Sequence, residues 1–164
     1  MTPGERSPEA SQGQVFWEDV AVGDELPALP KIADSVGQAK WAGAHGAFNP
    51  LMYEDAFAKS QGMQGPIVHG QLKLAWLVQF VTGWMGRRGW LKRISCEYRG
   101  TDYPRRMKTM SEPEDGETWL CQGKVTGKYV DGGEHCVELE VGVQNGSGET
   151  TVPGTAVVVL PSRG

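Results

Sequence analysis

The segment from His45 to Gly70, HGAFNPLMYEDAFAKSQGMQGPIVHG, gathers side chains able to move protons. His45 and His69 stand near its two ends, with Glu54 and Asp55 between them. An imidazole titrates near neutrality and a carboxylate below it. A histidine with an acidic neighbour can therefore take a proton from water and return one elsewhere. Each of these residues also has a plain structural role. His45 falls where a helix should end, and an imidazole there meets exposed carbonyls. Glu54 and Asp55 fall in the first turn of a short helix, where the dipole favours acidic side chains. His69 can serve simply to order a turn. The three histidines, His45, His69 and His135, have no clustered cysteine or aspartate at metal-ligand spacing, so no metal site is expected.

Two basic clusters stand out in an acidic chain: Arg87-Arg88 with Lys92-Arg93, and Arg105-Arg106 with Lys108. Paired guanidinium groups bind phosphates well, often through two hydrogen bonds at once. The alternative is a solvated face with surface ion pairs. Trp84 and Trp90 flank the first cluster and suit core or interface packing, or stacking on a flat ring.

These residues must be positioned by a single domain, because 164 residues make one comfortable core. The polar residues 1–14 read as a disordered lead, and order should begin near Val15 and run to 164. Phe16–Val20 suits a short strand and Val22–Pro27 a turn. A helix is expected from Asp34 to Ala44 with Asp34 or Ser35 as its cap, and a shorter one from Met52 to Ser60 after the Asn49-Pro50 turn. Gln71–Thr82, QLKLAWLVQFVT, is apolar nearly all round, which predicts a helix buried on most faces, with only Lys73 and Gln79 wanting polar neighbours. Beyond Trp90 the pattern turns to period two, with strands expected over Leu91–Arg99, Thr118–Val130, His135–Gln144 and Thr155–Leu160. Asp131-Gly132-Gly133 and Asn145-Gly146 should turn the last three into antiparallel hairpins, and Met110–Gly116 should be a surface loop. One greasy helix followed by a meander is an α+β layout, a sheet wrapped around a helix.

Net charge is −4, so nucleic-acid binding has no global electrostatic support, and no apolar run approaches the length of a membrane span. With no export signal and three scattered cysteines, Cys96, Cys121 and Cys136, a reducing cytoplasm and buried, inert thiols are expected.

The segments FWEDVAVGDEL (16–26) and 46–70 resemble the opening and the active-site region of MaoC-like acyl-CoA hydratases and dehydratases. The resemblance covers roughly Val15 to Leu160. It implies a hotdog fold, a curled antiparallel sheet around a central helix. It also implies an acyl-CoA or other acyl thioester as ligand, no cofactor, and a dimer, either of two identical chains or with a MaoC-like catalytic subunit. Active members carry Gly-Asp-x-Asn-Pro-x-His. Here Gly46, Asn49 and Pro50 keep the register, while Ala47 stands in place of the acid and Met52 in place of the histidine. Neither can transfer a proton. Ile67-Val68-His69-Gly70 matches the turn at which an amide near the glycine binds the thioester oxygen, a task suited to a helix N-terminus. The resemblance thus implies a ligand site at Gly46, Asn49, Pro50, His69, Gly70 and Trp76. Trp41, Phe48, Met52 and Trp76 would line or block the acyl tunnel, and Arg87, Arg88, Arg105 and Arg106 would meet the CoA phosphates. LVQFVTGWMGRRGWLKRISCEY (77–98) also resembles small subunits of heteromeric hydratases for bulky acyl-CoAs, such as those of sterol side-chain breakdown.

Three functions fit. The chain is a degenerate acyl-CoA-binding subunit paired with a catalytic hotdog. Or it is a self-sufficient hydratase, dehydratase or thioesterase that uses His45, Glu54 and Asp55. Or it is a homodimer that binds an acyl thioester without turning it over.

Overall fold

A computed structural model describes residues 13–164. The expected lead, 1–14, lies largely outside the described residues. Its last residue, Gln14, is anchored, since its side chain donates to Met85 O at 2.8 Å and accepts from Arg88 N at 2.8 Å.

Five strands form one antiparallel sheet: β1 (Glu25–Lys31), β2 (Trp90–Cys96), β3 (Trp119–Asp131), β4 (Glu134–Gln144) and β5 (Thr150–Val159). Their spatial order is β1-β3-β4-β5-β2. Two hairpins, β3–β4 through Gly132-Gly133 and β4–β5 through residues 145–149, make the middle of the sheet. Four register shifts, at Leu26/Leu29, Leu91/Arg93, Val125/Gly127 and Val143/Gln144, add the local twist that lets the sheet curl.

Three α-helices complete the described residues: α1 (Ser35–His45), α2 (Asp55–Ser60) and α3 (Gly70–Met85). The helix α3 packs against all five strands. Trp76, Leu77, Phe80, Val81, Trp84 and Met85 are its buried apolar residues, spaced three and four apart so that they form one stripe. They meet Trp119, Val125, Leu139, Val143 and Val158 from the inner sheet face. Alternation along β3, β4 and β5 places those residues inward.

Several sequence expectations change. Phe16–Val20 is not a strand but contains a short 3₁₀ turn, Trp17–Asp19. The turn expected at Val22–Pro27 ends early, and Glu25 begins β1, an unforeseen fifth strand. Pro27 and Pro30 hide it in the sequence, yet proline is tolerated on the free side of an edge strand. β5 begins at Thr150, five residues before the expected start, because Pro153-Gly154 masks the period. The shorter helix is split into a 3₁₀ turn, Pro50–Met52, and α2. α3 extends past Thr82 to Met85. Cys121 and Cys136 are buried and Cys96 half-buried, and all three are free thiols.

Candidate functional site

Asp34 caps α1 as expected, its carboxylate accepting from Gly37 N at 2.7 Å. The helix ends at His45 because Gly46 takes the left-handed conformation, φ 75°, that a side chain would resist. The chain then runs extended through Ala47 and Phe48 to Asn49, whose side chain accepts from Leu51 N at 3.0 Å and starts the 3₁₀ turn. Leu51 O in turn accepts from Ile67 N at 3.1 Å, so the motif loop is stitched to the segment that enters α3.

That entry is held by Gln38 of α1, a residue the sequence reading passed over. Its amide donates to Ile67 O at 2.7 Å and accepts from His69 N at 3.2 Å. One buried side chain thereby imitates a strand neighbour for residues 67 and 69. Val68 N donates to Asp102 O at 2.8 Å. His69 then caps α3, and the amides of Gly70 and Gln71 have no acceptor within the helix. The tyrosine ring of Tyr98 lies over Gly70. A polar ligand atom placed here meets free N–H groups and the positive end of a 16-residue helix.

His69 is buried, and neither ring nitrogen completes a hydrogen bond. Burial pulls its pKa below the ordinary 6.5, the nearby Ala47 backbone opposes this, and the charge of His45 adds to the depression. The imidazole is therefore neutral at physiological pH. His45, exposed, stacks on Trp41 with ring centroids 5.2 Å apart and lies 6.0 Å from the His69 ring. Ala47 thus adjoins His69 and the start of α3 but presents only a methyl group.

Beside this turn lies a cleft of about 900 Å³. Gln38, Ala39 and Ala42 of α1 form one wall, and Phe48, Met52 and Tyr53 another. Tyr103, Arg105 and Arg106 close the far side. Met52 therefore puts a thioether on the cleft wall. Asp55 also lines the cleft, but it bonds Lys59 at 2.6 Å and faces Arg106 at 3.9 Å. The Lys59 hydrogen bond, opposed by partial desolvation, holds its carboxyl below the usual carboxylate range. Such a carboxylate is a weak base. Glu54 is the exposed residue preceding α2, with no capping bond from its side chain.

The structure separates the two arginine pairs. Arg105 and Arg106 border the cleft, but Arg105 is committed to Gly116 O, Glu117 O and Thr118 Oγ1, at 2.7, 2.9 and 3.0 Å. Arg106 is exposed at the rim, 3.9 Å from Asp55. Arg87 and Arg88 follow the other end of α3, about 24 Å from Gly70 at the usual helical rise. Arg88 lies over the Phe16 ring, 5.3 Å from its centroid. Trp76, expected at the ligand, is instead in the core, its ring 6.0 Å from that of Trp119. Its place on the helix, six residues from Gly70, turns it toward the sheet. Trp41 and Phe48 stand at the site, and Asn49 and Pro50 shape its loop without lining the cleft. Among the described residues no group of acidic, histidine and cysteine side chains could hold a metal, and no helix is long and apolar enough to cross a membrane.

No family model and no curated protein matches the chain. Solved structures do. The (R)-hydratase from A. caviae involved in PHA biosynthesis is 23% identical, with a TM-score of 0.72, covering 88% of this chain and 99% of that one. R-hydratase PhaJ1 from Pseudomonas aeruginosa is 17% identical, with a TM-score of 0.76 over 92% and 88% of the two chains. The ChsH1-ChsH2 complex from Mycobacterium tuberculosis contains a chain 22% identical, with a TM-score of 0.70 over 85% and 98%. A MaoC-like dehydratase from Rhodospirillum rubrum is 18% identical, with a TM-score of 0.73 over 92% and 99%. The curled five-stranded sheet around α3 is the hotdog fold of the MaoC-like hydratases and dehydratases.

Proposed function

We propose that the chain is a MaoC-like subunit that binds an acyl thioester and leaves the acid–base chemistry to a hotdog partner with an intact dyad. One observation carries this reading. Ala47 adjoins His69 at the start of α3, and Met52 lines the neighbouring cleft, which supports reading these two residues as a dyad replaced by side chains that transfer no proton.

Hydration of an enoyl thioester adds water across the C2=C3 bond. Water oxygen bonds C3 while a base takes its proton, the π electrons move toward the thioester oxygen, and an acid then protonates C2. The amide at Gly70 is suited to the negative charge that gathers on that oxygen. The cleft supplies apolar walls for an acyl group, and Arg106 with Lys59 supplies positive charge at its rim for a phosphorylated carrier such as CoA. Among the described residues Asp55, the acid that lines the cleft, is already paired to Lys59.

The pairing with a second chain draws support from the similarity to a chain of the ChsH1-ChsH2 complex. A cytoplasmic acyl-CoA hydratase or dehydratase of lipid or steroid side-chain metabolism is the setting this suggests. A second reading, self-sufficient turnover, rests on the 6.0 Å approach of His45 to His69. Calorimetric titration with octanoyl-CoA tests the binding claim. The expected result is saturable 1:1 binding that Arg106→Ala weakens several-fold. An absence of binding heat together with no thermal shift at millimolar ligand would contradict it.

A further inference from the structure

Lys73, expected to need a polar neighbour, is among the most buried side chains of the protein, with 2% of its side chain exposed. Its ammonium donates to Asp102 Oδ2 at 2.6 Å and to Gly100 O at 3.1 Å. The same carboxylate oxygen accepts from Thr151 Oγ1 at 2.8 Å, and Thr151 O accepts from Arg99 N and Gly100 N at 2.9 and 3.1 Å. Asp102 also accepts from Val68 N through its own backbone carbonyl. One residue therefore grips the chain on both sides of His69-Gly70: by its carbonyl at position 68, and by its carboxylate at position 73, one turn into α3.

We propose that the Lys73–Asp102 ion pair is a positioning device that fixes the direction of the Gly70 amide. The inference rests on the reading of that amide as the thioester-carbonyl site. A buried ion pair is a poor way to gain stability, since an apolar pair of similar volume often serves as well or better. What the pair supplies is direction. An ammonium accepting no bonds and donating several, against a carboxylate with defined lone pairs, selects one rotation and height of the helix start relative to the 100–102 loop. The loop is in turn locked to the sheet through Thr151, at the second residue of β5. Gly100 has no room for a β-carbon, which would stand 2.6 Å from Thr151 Cγ2, so the loop cannot slide along the strand. The free amide at the α3 N-terminus is thereby referenced to the sheet, and Gln38 holds the preceding residues from the opposite side. Lys73 and Asp102 are positioning residues and touch no ligand in this account.

The test uses the full chain carrying Lys73→Met/Asp102→Leu, which removes both charges together. Hydrogen exchange of residues 67–73 is read beside the affinities for octanoyl-CoA and for its thioether analogue S-octyl-CoA, which lacks the carbonyl. The double variant should melt cooperatively within a few degrees of the wild type. Exchange over 67–73 should quicken at least ten-fold, and the preference for thioester over thioether should vanish. A control core variant, Val158→Ala, should lower the melting temperature and leave that preference intact. Unchanged exchange at 67–73 in the double variant overturns the proposal, as does an unchanged preference. Thr151→Val strips one hydrogen bond from Asp102 and keeps both charges, so it should move exchange and preference in the same direction by less. If the double variant does not fold, Thr151→Val decides. A wild-type chain that binds both ligands equally overturns the carbonyl-site reading, while exchange over 67–73 still judges whether the ion pair holds the turn.

Discussion

The ring of Tyr98 covers Gly70 so closely that a β-carbon on residue 70 would stand 3.1 Å from the ring's Cδ1. A hydrogen fits there and a methyl group does not, unless the half-exposed tyrosine swings away. Gly70→Ala should therefore cost little stability, under about 1 kcal/mol, because the tyrosine can yield. It should weaken octanoyl-CoA binding about ten-fold by crowding the amide, and Gly70→Ala/Tyr98→Ala should regain most of the loss. Affinity equal to wild type in the single variant would remove Gly70 from the site.

Gln38 should matter more to stability than any other polar residue of α1. Gln38→Leu leaves Ile67 O and His69 N buried without partners, which costs roughly 2–4 kcal/mol at about 1–2 kcal/mol for each orphaned group. Urea denaturation reads the loss. A change below about 0.5 kcal/mol would mean that the turn finds other partners.

His69 gives stability a pH dependence of known sign. Its folded pKa lies below the unfolded value of 6.5, so the unfolded chain binds the extra proton first. Its stabilising contribution is complete above pH 6.5 and declines as pH falls from 6.5 toward the lowered folded value. The melting temperature should drop over that window, and His69→Gln should flatten the drop. An undiminished slope in the variant would assign the dependence to other groups.

Cys121 should resist modification. Burial pushes its thiol up to about 12, so almost no thiolate exists at pH 8. Iodoacetamide should label the native chain at Cys96 in preference to Cys121, and peptide mapping reads the order. Rapid labelling of Cys121 in the folded chain would show that β3 opens locally.

The elements that announce themselves in the sequence are those whose residues repeat one period. The α3 stripe and the β3 and β4 alternation are of this kind, and each appears where expected. β1 was hidden because Pro27 and Pro30 read as turn residues until a neighbouring strand supplies the edge that tolerates them. At the site, the reading of Ala47 and Met52 as replacements for an acid and a histidine rests on the family resemblance, in whose motif Gly46, Asn49 and Pro50 keep the register. Gln38, Asp102 and Thr151 were not legible. Each works through contacts with residues 29, 29 and 49 positions away along the chain, and no local pattern marks such partners. Trp76 misled for the opposite reason: its type suggested a ligand, but its helical phase sets it against Trp119.

Enoyl-CoA hydration by the purified chain, followed as loss of enoyl absorbance, tests the central claim most directly when the wild type is run beside Ala47→Asp/Met52→His. The account predicts no turnover by the wild type and measurable turnover by the double variant, whose two new side chains would complete a site already shaped to bind the thioester. Turnover by the wild-type chain alone would contradict it and place the chemistry on His45, Glu54 or Asp55.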